Sequence, residues 1–82
     1  MAHVASRAQQ VLEFTGGLDH FEIQAGTVRA LIIELDRRYP GLGTHVDRHM
    51  AIAIDGEIHQ DALAEALDAA SEIVLIPRIS GG

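Results

Sequence analysis

The residues with the plainest chemical use close the sequence, in the stretch PRISGG from Pro77 to Gly82. Average glycine usage is about 7%, so a terminal pair arises by chance in roughly one chain in 200. Glycine weakens any helix or strand it joins, but without a Cβ it enters places where another backbone closes in. A terminal carboxyl on Gly82 has a pKa of about 3.5, is ionised at pH 7 and is a poor electrophile. It becomes useful only when something activates it. The chain itself offers no phosphate-binding loop, no dinucleotide fingerprint and no nucleophile beside a base. The tail is therefore expected to be a substrate that a partner activates, and the chain is not expected to be an enzyme.

Other candidates are weaker. His45 and His49 stand four apart, a spacing that could bind zinc on a helix. They follow a Pro/Gly break and have no third ligand nearby in sequence. All five histidines (His3, His20, His45, His49, His59) are read as solvent-facing loop or edge residues, and no metal site is expected. The net charge of −6 disfavours nucleic acid, whose binding rests on neutralising phosphates with Lys and Arg. It serves plain solubility or docking on a more basic protein equally well. All six basic residues are arginine and none is lysine. Coding bias explains most of that, with one chemical consequence: an activated acyl group meets no lysine amine on its own chain.

These residues must be positioned by one small domain, because 82 residues lie near the lower end of what folds on a single unstapled core. There is no cysteine, hence no disulfide framework. MAHVASRAQQ carries no secretory signal pattern, and the longest apolar runs are four or five residues. A soluble cytoplasmic protein with no membrane partner is expected.

Along the chain, a poorly alternating strand is possible at Val4–Arg7. Ser6 and Gln9 resemble a capping box for a short helical turn through Val11, Leu12 and Phe14. After the glycine turn, LDHFEIQ alternates as a half-buried strand, with Phe21 and Ile23 inward. The clearest helix spans about 27–39. Thr27 caps it, Val28, Leu31, Ile32, Leu35 and Tyr39 form one stripe, and Ile33 falls off the stripe. Arg37 and Arg38 complement its dipole, and Pro40 stops it. PGLG at Pro40–Gly43 reads as a turn. MAIAIDGEI reads as a strand entering a tight Asp55-Gly56 turn. DALAEALDAASE is left as either helix or a helical turn and loop. EIVLI, apolar on both faces, reads as a central strand that Pro77 ends. The pattern is α+β, a mixed four- to five-stranded sheet packed on one main helix, with 1–76 as the domain and 77–82 as a flexible extended tail.

FTGG at Phe14–Gly17, the helix ending RRYPG, the turn AIDGE and the terminal strand-Pro-x-x-x-Gly-Gly resemble the MoaD/ThiS family, ubiquitin-like sulfur carriers of the β-grasp fold. Length and FTGG favour the molybdopterin-type branch, which includes the small subunit of molybdopterin synthase. The resemblance implies that an E1-like enzyme adenylates Gly82 with ATP and magnesium. A persulfide donor then converts it to a thiocarboxylate. The synthase large subunit, or another acceptor enzyme, receives the tail: Pro77, Arg78, Ile79, Ser80, Gly81 and Gly82. Departures are Arg78 where a second proline is common, Asp55-Gly56 for Asn-Gly, and DAASE at Asp68–Glu72 for an acidic loop. They leave molybdopterin, cysteine, thiamine and secondary-metabolite branches open, along with a ubiquitin-like modifier or a passive β-grasp binding domain.

Extended at about 3.3 Å per residue, 79–82 reach roughly 13 Å, enough to thread a narrow channel. Pro77 stiffens the exit. If Ile52, Ile54, Ile73 and Leu75 face the helix, alternation sends Ala53, Val74 and Ile76 outward as an apolar docking platform near the tail. Arg78 reads as a solvated arginine or as one that pairs with an acid on the partner.

Overall fold

The computed structural model describes residues 1–59 and 63–78. In chain order the elements are β1 (Ala2–Ala5), α1 (Gln9–Thr15), β2 (His20–Ile23), α2 (Val28–Arg38), α3 (Leu42–His49), β3 (Met50–Ile54), β4 (Glu57–His59) and β5 (Glu72–Pro77). The strands form one sheet in the order β2-β1-β5-β3-β4. β1 and β5 run parallel and the other neighbours antiparallel. This is the expected β-grasp, and the doubly apolar last strand is central.

The core lies between the sheet and the helices. Val4, Ile23, Ile52, Ile73 and Leu75 from the sheet meet Val11, Val28, Leu31, Leu35, Leu42 and Val46 from the helices. Burying each such side chain stabilises the fold by about 1.5–3 kcal/mol. α2 is as the sequence predicts. The Thr27 hydroxyl accepts from the Ala30 N–H at 3.1 Å, and Ile33 is left 62% exposed.

Two local expectations change. PGLG is no mere turn, because Gly41, at φ 95°, opens α3, so His45 and His49 ride on a helix rather than a loop or edge. The cap comes from afar: Asp36 Oδ1 on α2 accepts from the N–H groups of Gly41 and Gly43 at 3.1 Å each. Gly43 also lets the helices touch, since a Cβ there would lie 2.6 Å from the Ile32 carbonyl oxygen. The second change concerns Ser6, which is not the helix cap. It is buried and donates to the Leu75 carbonyl at 2.7 Å, and α1 starts after Ala8. The first strand is Ala2–Ala5, two residues earlier than the Val4–Arg7 reading.

The glycine punctuation holds. Gly16, at φ 73°, ends α1 in the left-handed conformation that the FTGG stretch suggests. Asp55 and Gly56, at φ 49° and 87°, make the two-residue hairpin between β3 and β4. Leu63–Ser71 contains no regular helix, only turns and one bridge between Ala66 and Thr27. No helix among the described residues is long and apolar enough to cross a membrane.

Candidate docking face and tail root

β5 sits in the middle of the sheet and presents alternate side chains to its two faces. Ile73 and Leu75 point into the core at 1% and 2% exposure, while Val74 is 43% exposed on the outer face. The register carries that outer face across all five strands. His20, Ala5, Val74, Ala53 and Ile58 are successive cross-strand neighbours. Beside this row, toward the tail, Ile76 pairs with Ala51. On the other side lies a polar row, Glu22, His3 and Glu72, in which His3 Nδ1 approaches Glu22 Oε1 at 3.1 Å. The result is an apolar patch bounded by polar residues at one end and leading to the tail at the other.

Of the three predicted docking residues, Val74 is exposed and Ile76 half-buried. Ala53 corrects the expectation. It lies outside the core cluster but is only 7% exposed, because its single methyl sits in the row between the longer side chains of Val74 and Ile58. Ile58, 63% exposed, is the larger apolar surface, and the sequence reading missed it. β4 is three residues long, too short for alternation to show. The available signal was one isoleucine set between Glu57 and His59, just past a tight turn.

At the tail root, sheet pairing runs past the boundary drawn after Ile76. Pro77 pairs with Met50 as the last residue of β5. The Arg78 N–H then donates to the His49 carbonyl at 2.9 Å, and its Nη2 to the Met50 carbonyl at 3.2 Å. Arg78 is thus an exposed side chain folded back on the α3–β3 junction. Beside it lies a groove of about 430 Å³ lined by Gln10, His45, His49, Met50, Pro77 and Arg78. His45 stacks between Phe14 and His49, with ring centroids 5.9 and 5.2 Å away. Ile79, Ser80, Gly81 and Gly82 lie outside the described residues.

Electrostatics elsewhere is local. Glu34 accepts from Arg37 at 2.7 and 3.1 Å and from Arg38 at 3.2 Å, and the Arg37 hydrogen bond chiefly holds its carboxyl below the ordinary range. The hydrogen bond to His20 lowers the Asp19 carboxyl in the same way. Among the described residues no three His, Cys, Asp or Glu side chains gather as a metal site.

The model of the ThiS family matches residues 8–82. The chain belongs to the ThiS family. The chain is also similar in fold to solved structures. Mycobacterium tuberculosis CysO superposes with a TM-score of 0.83 at 20% identity, covering 96% of this chain and 100% of that one. The Amycolatopsis orientalis BexX/CysO complex gives 0.83 at 19%, covering 100% of both chains. The small archaeal modifier protein 1 (SAMP1) of Methanosarcina acetivorans gives 0.78 at 23%, covering 99% and 95%. At these identities the likeness is one of fold. The comparison with curated proteins gives no match. This member of the family is accordingly a small ubiquitin-like sulfur carrier.

Proposed function

We propose that Gly82 is the reacting residue and becomes a thiocarboxylate. In this reading an E1-like partner adenylates its carboxylate with ATP and magnesium, with pyrophosphate leaving. The terminal sulfur of a persulfide donor then attacks the acyl carbon and AMP leaves. A second thiol cleaves the resulting acyl disulfide, releasing the Gly82 thiocarboxylate and becoming part of a disulfide. The loaded tail next enters an acceptor enzyme, most simply the large subunit of a molybdopterin-type synthase, while the apolar outer face docks beside the channel. Gly81 and Gly82 pass where a side chain would not.

The observation that carries the reading is the family match, which runs through the final Gly-Gly. The central position of β5 supports it, since the strand that precedes the tail in sequence lies in the middle of the sheet beside an exposed apolar patch. The complex of one structural neighbour with BexX is consistent with a carrier that works through partner enzymes.

The test is the intact mass of the protein from its native host, with and without iodoacetamide. A fraction heavier by one oxygen-to-sulfur exchange and alkylated at Gly82 supports the carrier. A second reading, a protein modifier joined to target lysines through Gly82, is favoured by one observation, the likeness to a small archaeal modifier protein. Conjugates lost on deleting Gly82, without any sulfur-bearing form, would replace the first reading with the second. Neither product, and no effect of the deletion, would leave a passive binding domain.

A further inference from the structure

The arginines divide by place. On α2, Arg37 and Arg38 both close on Glu34, at 2.7 and 3.2 Å. At the Pro77 end of β5, Arg48 and Arg78 form no ion pair among the described residues, while Arg7 lies near enough to Asp19 to help lower its carboxyl. Arg78 belongs to the groove whose other polar side chains are Gln10, His45 and His49, and no carboxylate lines it. The opposite end of β5 is acidic. There Asp55 and Glu72 are joined through backbone and side-chain hydrogen bonds of 2.8 and 2.9 Å. Glu57 follows the adjoining turn, and Asp68 is tied to Ser71, the residue before Glu72. β5, about 20 Å long, therefore runs from an acidic end to a basic one within a chain of net charge −6.

We propose that the groove of Gln10, His45, His49 and Arg78 receives an acidic segment on the rim of the enzyme channel that takes the tail. The inference rests on the carrier reading, because Pro77 and Arg78, the residues just before 79–82 in sequence, line this groove, so an enzyme that takes the tail meets it at the tail root. The α3 C-terminus already receives the Arg78 N–H, so the guanidinium is not needed as the cap. One of its five donors reaches the Met50 carbonyl, which leaves others for a carboxylate in the paired geometry that arginine favours. The polarity along β5 also orients the encounter. An acidic rim attracts this end and repels the other, so the carrier arrives tail first. A basic rim would draw the wrong end.

The first arm of the test is a titration of the ¹⁵N-labelled protein with hexaglutamate, hexaglutamine and hexalysine. Amide shifts at Gln10, His45, His49 and Arg78 are expected with hexaglutamate alone. They should vanish in Arg78→Glu and in salt of about 0.5 M, where screening falls to a few ångströms. Shifts absent, spread equally over Arg29 and Arg37, or produced at the groove by hexalysine would overturn the proposal.

The second arm uses the host adenylating enzyme. Arg78→Glu should raise KM on the order of tenfold with kcat within about twofold, and Arg78→Lys should restore most of the loss. His49→Glu, outside the tail, should act in the same direction, which guards against a fault in the tail itself. Unchanged KM in both glutamate variants removes the groove and leaves the carrier. If the wild-type protein is not adenylated at all, the carrier reading fails, and the peptide titration alone decides the groove.

Discussion

The two faces of β5 are made of nearly the same residue types and do different work. Ile73 and Leu75 are buried at 1% and 2%, whereas Val74, between them, is 43% exposed and Ile76 half-buried. Side-chain hydrophobicity does not distinguish the faces. What lies opposite does: α1, α2 and α3 cover one face, and no described element covers the other. A branched apolar residue facing helices is core, and the same residue facing outward is a candidate place for another protein.

The strongest way to break that contrast is Leu75→Ala. It should cost about 2–5 kcal/mol of unfolding free energy through lost burial and a residual cavity, read as a lower denaturant midpoint at unchanged m-value. A loss below about 1 kcal/mol would mean that the inner face is not the core it looks like. Gly81→Ala should do the reverse, slowing sulfur transfer on the order of 100-fold, as a misplaced reacting group does, while leaving stability in place. Comparable losses of both would sink the tail reading.

Val74→Glu tests the outer face. Affinity for the tail-receiving enzyme should fall about tenfold, with stability within about 0.5 kcal/mol of the parent, as expected of a surface position. Ile58→Glu should behave likewise, since Ile58 flanks the same row. Unchanged affinity in both variants would assign docking elsewhere.

The smallest effect is at Glu34, remote from both faces. The Arg37 hydrogen bond depresses its folded pKa, so its contribution to stability is present above its ordinary value of 4.5 and is lost as pH falls through the folded value. Glu34→Gln should flatten the acid limb of a stability-against-pH curve below about pH 4.5 and leave neutral pH nearly unchanged. A steeper acid limb would reverse the sign argued here.

Legibility in the sequence followed the range of the interactions. The α2 stripe, the Thr27 cap and the Asp55-Gly56 turn are local, and all could be read directly. The helix at Leu42–His49 could not, because its cap is Asp36 on another helix and its glycines are there for close approach. Leu42 and Val46, four apart and both buried, were its one local sign. In the candidate docking face, Val74 and Ile76 follow from alternation alone. The shielding of Ala53 and the exposure of Ile58 depend on which residues sit opposite in neighbouring strands. The final residues, Gly81 and Gly82, are legible only in sequence.

By itself, then, the sequence determined the fold class, the central last strand, the main helix and the glycine-ended tail, because each follows from periodicity, turn chemistry or composition within a few residues. Only the tertiary structure decided that Arg78 folds back on the α3–β3 junction, that His45 and His49 line a groove with it, and that Ile58 completes the outer patch. Those are contacts between residues distant along the chain, such as Arg78 with His49 and Met50, and local pattern carries no record of them.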